Sequence, residues 1–160
     1  MTNFTKDFLF GSATSAHQIE GGNINSDWYA WEKAGNIEGN QTSLIAADSW
    51  NKWKDDIELL KNTGQNAYRF SIEWAKIEPR QGHFDKNAIE HYRQILLELK
   101  RNNIKSMVTL WHFTLPVWLK NGFENSKAPE LFANFAKTAV ENLGNLVDLW
   151  ALLMSLMSMY

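Results

Sequence analysis

The sequence lacks cysteine entirely and has only three prolines in 160 residues. Without thiols the chain has neither disulfide bonds nor thiol chemistry, and we expect a cytoplasmic location because a reducing compartment is compatible with this composition. The first residues, MTNFTKDFLFGSA, lack the basic and apolar regions of a signal peptide, and no apolar run is long enough to span a membrane. The sequence therefore predicts no membrane partner.

A surplus of positive charge is also absent, because 16 Lys and Arg face 18 Asp and Glu. The formal net charge of -2 offers no basic surface to the phosphates of nucleic acid, so we expect no nucleic-acid partner. Tryptophan is the residue that is abundant, with eight copies. Most of these rings are expected to fill the core, and the functional alternative is stacking against the flat faces of sugars or bases.

Three segments repeat apolar residues at the spacing of an amphipathic α-helix. Asp85 is a predicted N-cap, Pro129 suits a first helical turn, and Gly64 and Gly144 are predicted helix stops. The three apolar stripes are Trp50, Trp53, Ile57 and Leu60, then Ile89, Tyr92, Leu96 and Leu99, then Leu131, Phe135, Ala139 and Leu143.

Four short apolar runs, DFLFGSA, NAYRFSI, KSMVTLW and LVDLWALL, alternate with these helices and indicate strands that are covered on both faces. Tyr68, Met107 and Val147 mark three of them at nearly equal steps along the chain. Repeated βα units of this kind predict either a doubly wound parallel sheet or a (β/α)8 barrel. The first unit carries a longer connection, over residues 21–47.

The residues that follow the strands favour the barrel. A nucleotide-binding doubly wound sheet has a G-x-G-x-x-G turn after its first strand, and the turn here reads SATSAHQIEGG. Barrel enzymes instead collect site residues at the C-terminal ends of several strands. We therefore favour an α/β fold of the (β/α)8 TIM-barrel type. The residues that suggest such a site are Gln18 and Glu20, Arg69 and Glu73, and Trp111 and His112.

Three of these residues are candidates for ligand contacts. Gln18 can donate and accept hydrogen bonds at once, which suits a sugar hydroxyl; the structural alternative is a loop glutamine bonded to the backbone. Arg69 lies inside an apolar strand, where a buried guanidinium needs a carboxylate, either in a structural ion pair or in a site. His112 ends a strand between aromatic residues, and it either contacts a ligand or fills a structural role.

Four stretches together resemble the family-1 glycoside hydrolases, the β-glucosidase and β-galactosidase group, whose fold is a (β/α)8 barrel. The stretches are FLFGSATSAHQIEGG, SDWYAWE, DDIELLKNTGQNAYRFSIEWAKIEP followed by GHFD, and LWHFTLPVWL. Their order and spacing match the N-terminal third or so of that family, so the resemblance implies an incomplete TIM barrel with only the first four βα units present. The resemblance covers about residues 4–153.

The resemblance implies a role for each matching residue. Gln18 is expected to bind hydroxyls of the terminal sugar, and His112 is expected to contact the same sugar ring. Arg69 is expected to lie beside the nucleophilic carboxylate and to tune it. Phe113 stands where the family often has Trp. Glu73 matches no catalytic position, and we interpret it as a solvated or ion-paired residue. The family's reaction needs no cofactor and no metal, and none is expected here.

The end of the chain departs from the family, whose fourth strand closes with the motif W-x-T-x-N-E-P. Aligned on Trp150, Met154 stands at the Asn position, Ser155 at the position of the acid/base Glu, and Leu156 at the Pro. No catalytic residue is therefore predicted in this chain. Met154, Ser155 and Leu156 can be encoded by ATG-AGC-CTN. One A restored before this ATG shifts the reading to AAT-GAG-CCT, which encodes Asn-Glu-Pro. We interpret 154–160 as an aberrant, frameshifted tail; the alternative is a chain truncated in another way.

The predicted domains are thus residues 1–153, the N-terminal part of a glycosidase barrel, and the tail 154–160. The parent activity is retaining hydrolysis of a terminal β-linked glucose or galactose, with a small saccharide or glycoside as partner, and this chain is predicted to be inactive. Two alternatives are a non-catalytic sugar-binding module and a non-functional product of a broken reading frame. We also expect self-association through two open apolar sheet edges, at Phe8–Ser12 and Leu146–Leu153.

Overall fold

The computed structural model describes residues 4, 5 and 7–154. Four strands form one parallel sheet: β1 (Gly11–Ala13), β2 (Ala67–Ser71), β3 (Lys105–Trp111) and β4 (Leu149–Leu153). The helices are α1 (Ala16–Ile19), α2 (Asp27–Lys33), α3 (Ser49–Asn62), α4 (Trp74–Ile77), α5 (Lys86–Arg101) and α6 (Ala128–Leu143), with single 3-10 turns at Glu38–Asn40 and Gly122–Glu124.

The order of the strands in the sheet is β1-β2-β3-β4, so each strand pairs with the one that follows it along the chain. A doubly wound sheet reverses direction part-way and places helices on both faces. A barrel keeps adding strands on the same side, with the helices outside. The observed order is therefore that of four consecutive barrel units.

The outer face of the sheet forms the core with the helices. Tyr68 and Phe70 of β2 and Val108 of β3 are buried against it, and the half-buried Trp150 of β4 packs on the same cluster. Side chains alternate along a strand, so their neighbours face the inside of the curve. The fully buried residues that α4, α5 and α6 add to this core include Trp74, Ile77, Tyr92, Leu96, Leu99, Phe135 and Leu143.

The predicted helices are confirmed. Asp85 caps α5, because its carboxylate accepts hydrogen bonds from the backbone nitrogens of Asn87 and Ala88. Gly64 follows α3 with φ of +70°, a left-handed conformation in which a glycine is favoured. Gly144 follows α6 but keeps a right-handed φ of -59°. None of the helices described in residues 4, 5 and 7–154 is long and apolar enough to cross a membrane.

Two predicted strands are shorter than expected, and the predicted bounds were wrong. The β1–β2 ladder starts only at Gly11, because the backbone before it is hydrogen-bonded to the Asn66 side chain. This side chain accepts from the Phe10 nitrogen at 2.8 Å and donates to the Phe8 oxygen at 2.9 Å. The fourth strand starts after Asp148, whose carboxylate accepts from the Ser106 nitrogen at 3.0 Å. In both places a side chain replaces a backbone partner.

Replacing Asp85 with Ala should lower the free energy of unfolding by about 1 kcal/mol, because two backbone N–H groups of α5 lose their acceptor. Urea unfolding followed by far-UV circular dichroism measures this difference. Asp55→Ala, at an exposed position within α3, is the matched control and should change little. Equal urea midpoints for the two variants would contradict the capping role.

Candidate active site

The C-terminal edge of the sheet gathers the three residues that the sequence singles out. Gln18 lies on α1, which directly follows β1; Arg69 lies within β2; and His112 directly follows β3. Since these strands are parallel and adjacent, their C-terminal ends share one edge. Their polar atoms are therefore presented to the same region.

Arg69 belongs to the inner face of the sheet. It pairs in register with Ala13 of β1 and Met107 of β3, both small or apolar neighbours. The guanidinium Nε is buried and has no hydrogen-bond partner among the described residues. The carboxylate partner that was predicted for Arg69 is thus not present among residues 4, 5 and 7–154.

His112 lies within the electrostatic reach of Arg69. Burial lowers the pKa of the His112 imidazole below its usual 6.5, and the positive charge of Arg69 lowers that pKa further. The ring is therefore neutral at pH 7, and its buried Nδ1 has no partner in the described part of the chain. A neutral imidazole with a free nitrogen can accept or donate a hydrogen bond to a ligand hydroxyl.

Gln18 is exposed on the short helix α1. Its backbone nitrogen donates to the Ser15 oxygen at 3.1 Å, whereas its side-chain amide makes no hydrogen bond to another described residue. Both functions of the amide are thus available to a ligand.

Aromatic rings connect the end of β3 to the first connection. The Phe113 ring lies 5.7 Å from the ring of His112, 5.7 Å from that of His17, and 5.5 Å from that of Trp28, each in an edge-to-face arrangement. Pairs of this geometry stabilise beyond their buried area by about 0.5–1.5 kcal/mol. Phe113 therefore fixes the His112 segment against α1 and α2.

A buried histidine fixes the helix that carries Gln18. His17 Nδ1 lies 2.9 Å from the Asn23 side-chain nitrogen, which donates to it, so Nε2 carries the proton and donates to Glu32 at 3.1 Å. The Ser43 hydroxyl lies 3.0 Å from the same Nε2. Burial lowers the pKa of His17, which keeps this ring neutral. The long connection after β1 is thereby folded back onto α1.

Two hydrogen bonds join the connection after β1 to the connection after β3. Asp27 Oδ1 accepts from the Leu115 nitrogen at 2.8 Å, and the Asp27 nitrogen donates to the Leu115 oxygen at 2.8 Å. Burial raises the pKa of the Asp27 carboxyl. Ser26 and Pro116 continue the contact as an antiparallel bridge. The segments that carry Gln18 and His112 are therefore held in a fixed relation.

A second polar network lies beneath the site. Glu20 and Lys76 form a buried ion pair at 2.9 Å, and the Tyr92 hydroxyl donates to Glu20 Oε1 at 2.8 Å. The Lys76 ammonium also lies 3.8 Å from the Trp50 ring centre, within range of a cation–π interaction. This network joins α1, α3, α4 and α5 on the core side of the sheet edge.

Glu73 is buried, and the interpretation of it as a solvated or ion-paired residue was wrong. Its Oε2 accepts from the Thr114 hydroxyl at 2.8 Å, and its Oε1 accepts from the Ala75 nitrogen at 3.2 Å, so it caps α4. No salt bridge to Glu73 occurs among the described residues. Burial raises the pKa of this carboxyl to about 8, so it holds its proton at neutral pH.

The last described residue of the fourth strand region is Met154. Its backbone nitrogen donates to the Trp111 oxygen at 3.0 Å, so the residue continues the ladder with β3 at the C-terminal edge. Its side chain brings no carboxylate or amide to that edge. Ser155 and Leu156, like the rest of the tail, lie outside the described residues.

Known proteins share both this sequence and this arrangement. The profile described as "Glycosyl hydrolase family 1" matches residues 1–159. The chain belongs to glycosyl hydrolase family 1. The predicted family and the incomplete TIM-barrel fold are thus confirmed.

Two family-1 relatives from Thermotoga show the extent of the match. The chain is 35% identical to the 1,4-beta-D-glucan glucohydrolase of Thermotoga neapolitana, over 94% of this chain and 37% of that protein. A solved beta-glucosidase from Thermotoga maritima, in complex with castanospermine, superposes with a TM-score of 0.90 at 34% identity, over 94% of this chain and 36% of that one. The chain spans about a third of the length of the relatives it matches.

Within this family-1 chain, sequence reasoning missed the residues that hold the site. His17 adjoins Gln18 in HQIEGG, and Glu32 closes SDWYAWE, so both stood within stretches already singled out. A histidine and a carboxylate in two such stretches were the available signal. Thr114 gave none, because a threonine after a strand has no distinctive pattern.

Glu73→Gln should make stability less dependent on pH. The folded Glu73 carboxyl keeps its proton to about pH 8, while an unfolded one loses it near pH 4.5, so folding binds a proton in that window. The contribution of Glu73 to the free energy of unfolding should therefore fall as pH rises from 5 to 8, by up to about 1.4 kcal/mol per pH unit. The variant should lack this part of the decline.

Urea unfolding at pH 5, 6, 7 and 8 measures the effect, with the exposed Glu38→Gln as the control for removal of a carboxylate. The difference between parent and Glu73→Gln should change across this range, while the difference between parent and control stays constant. Parallel stability curves for all three proteins would show that Glu73 is ionised in the fold.

Proposed function

We propose that this chain supplies the sugar-contacting part of a retaining β-glycosidase that hydrolyses terminal β-linked glucose or galactose. In this proposal Gln18 and His112 bind hydroxyls of the terminal sugar. Arg69 pairs with the nucleophilic carboxylate, which lies in a part of the barrel beyond these 160 residues. The printed names of the relatives, a glucan glucohydrolase and a beta-glucosidase, support this substrate class.

The observation that carries the proposal is a set of unpaired polar groups at one edge. Arg69 Nε and His112 Nδ1 are buried without partners in the described chain, and the Gln18 amide is free. Buried polar groups are almost always hydrogen-bonded in a complete protein, because an unpaired group costs about 1–3 kcal/mol. A carboxylate and a polyhydroxylated ligand supply the acceptors and donors that these three residues need.

Within residues 4, 5 and 7–154, the same edge offers no free carboxylate for the reaction. Retaining glycosidases use two carboxyl groups about 5–5.5 Å apart, one as nucleophile and one as acid/base. Glu20 and Glu73 are buried and bonded to Tyr92 and Thr114, so they cannot approach a glycosidic oxygen. Met154 stands where the family has its Asn. The chain of 160 residues alone should therefore lack hydrolytic activity.

Purified 1–160 should hydrolyse 4-nitrophenyl β-glucoside at the rate of the buffer alone, because neither carboxylate is in place. Release of nitrophenol, followed at 400 nm or so, measures this. Gln18→Ala, which alters an exposed site residue, is the matched control. Turnover by the parent that disappears in Gln18→Ala would show that the chain is itself a hydrolase and would refute the proposal.

The non-catalytic sugar-binding module is the second candidate, favoured by the free Gln18 amide and the half-buried His112. Glucose titrated into the chain, with the His112 ring followed by NMR, separates the two. Saturable binding that His112→Ala abolishes would establish the module. Absence of binding leaves the glycosidase part as the function.

The tail is proposed to result from one missing nucleotide. Residue 154 lies at the C-terminal edge of the sheet, where its backbone nitrogen donates to the Trp111 oxygen. In this proposal an Asn at this position would bind the sugar, and the adjacent Glu would act as acid/base. The prediction is that the DNA around codon 154, with one A inserted, encodes Asn-Glu-Pro and then stays open. Sequencing of the gene checks it. Serine and leucine codons that cannot give Glu-Pro in the shifted frame would exclude this origin.

A further inference from the structure

We propose that the side-chain amide of Asn23 rotates by half a turn when the buried His17 ring takes up a second proton. In the neutral state the amide nitrogen donates to the ring, and in the charged state the amide oxygen accepts from it. The two side chains would thus form a proton-dependent switch in the connection after β1. This inference concerns contacts within the described residues and does not rest on the proposed glycosidase activity.

The first argument is a buried amide oxygen without a partner. Asn23 and His17 are each 3% exposed. Asn23 Nδ2 lies 2.9 Å from His17 Nδ1, whereas Oδ1 of the same amide is buried and has no hydrogen-bond partner among residues 4, 5 and 7–154. Either orientation directs one polar atom of the amide to the ring and leaves the other unpaired. The protonation state of the ring therefore decides which orientation is favoured.

The second argument is that the rotation disturbs no neighbouring backbone. The terminal torsion of an asparagine side chain is broad and nearly twofold, and the amide oxygen and nitrogen occupy similar volumes. The Ser26 hydroxyl donates to the Asn23 backbone oxygen at 2.9 Å, a bond that does not involve the amide. The start of α2, where Ser26 is the N-cap, therefore keeps its place while the amide turns.

The third argument is a carboxylate beside the other nitrogen of the ring. His17 Nε2 lies 3.1 Å from Glu32 Oε1. The second oxygen of this carboxylate accepts from the Ser43 nitrogen at 2.8 Å and from the Thr42 hydroxyl at 3.0 Å. Burial raises the pKa of Glu32, but the hydrogen bonds outweigh burial and hold the pKa below its usual 4.5. An imidazolium donates from both nitrogens, so it would pair with this carboxylate at Nε2 and with the Asn23 oxygen at Nδ1.

The charges around the ring set the pH at which the switch acts. Burial lowers the pKa of His17 from its usual 6.5, whereas the hydrogen bond and the negative charge of Glu32 raise it. The positive charge of Lys76 on α4 lowers the pKa further, although that ammonium is itself paired with Glu20 at 2.9 Å. Among the described residues, Glu32 and Lys76 are the charged groups that act on the ring. The net pKa of His17 lies below 6.5, so the amide should rotate as the pH falls below that value.

NMR spectra of the isotope-labelled chain, recorded between about pH 8 and about pH 4, test the proposal. The nitrogen shifts of a histidine distinguish the Nδ1–H ring, the Nε2–H ring and the imidazolium, and the side-chain amide signals of an asparagine report what its N–H groups contact. The exposed His83 is the reference for an ordinary titration. A second sample carries Asn23→Asp, which presents a carboxylate oxygen to the His17 ring in either orientation. Its control is Asn87→Asp, which adds the same charge at an exposed position of α5.

In the parent chain we expect His17 to be an Nε2–H ring at neutral pH and to become an imidazolium with a midpoint below 6.5. The Asn23 amide signals should shift with the same midpoint and should not follow the titration of His83. In Asn23→Asp the midpoint of His17 should rise by about one pH unit or more, which is about tenfold in proton affinity, because a carboxylate faces the ring. Asn87→Asp should leave that midpoint unchanged.

An Nδ1–H ring at neutral pH would overturn the proposal, because the amide oxygen would then already face His17. Asn23 amide signals that stay constant while His17 titrates would exclude the rotation. A ring that stays neutral until the chain unfolds, or an unchanged midpoint in folded Asn23→Asp, would also contradict the switch. If Asn23→Asp does not fold, the spectra of the parent chain alone decide between these outcomes.

Discussion

The hydroxyl of Tyr92 lies where three parts of the fold meet, and the candidate site depends on it. It donates to Glu20 on the first connection and accepts from the Glu73 nitrogen at the end of β2. Glu73 in turn accepts from Thr114, which follows β3. The Tyr92 side chain of α5 thus helps to fix the relative positions of the segments that follow β1, β2 and β3. Burial and the neighbouring carboxylates raise the pKa of Tyr92 well above 10, so the hydroxyl keeps the proton that it donates.

At the C-terminal edge of the sheet, the described carboxylates already accept hydrogen bonds, whereas Arg69 Nε has no acceptor. The carboxylates near it are already occupied, so they cannot neutralise Arg69. Arg69 Nε consequently stays buried without a hydrogen-bond partner among the described residues, and a buried guanidinium is best stabilised by an anionic partner. The engaged carboxylates and their partners are Glu20 with Lys76 and Tyr92, Asp27 with Leu115, Glu32 with His17 and Ser43, and Glu73 with Thr114.

The helices and the strand order of the barrel were predictable from the sequence. Apolar residues that recur every 3.6 positions, and βα units that recur along the chain, can be recognised without knowledge of distant contacts. The bounds of β1 were not, since Phe8 to Phe10 read as strand while the Asn66 side chain occupies their backbone. Glu73 was misplaced for a related reason. A glutamate is usually exposed, whereas Glu73 is buried because Thr114, 41 positions away in the sequence, donates a hydrogen bond to it. Gln18, Arg69 and His112 were singled out because each breaks the local pattern, and their roles in binding stay predictions.

The brevity of β1 bears on the order in which the structure assembles and opens. Its three residues pair across a connection of more than fifty positions, whereas β2 and β3 pair over five residues across the shorter connection that carries α4 and α5. Loop length alone decides little, because doubling a loop costs only about 0.6 kcal/mol. The short ladder and its exposed flank matter more, so we expect β1 to detach more readily than β2 or β3. Because α1 follows β1 directly, such an opening would move the exposed Gln18 away from Arg69 and His112 without global unfolding.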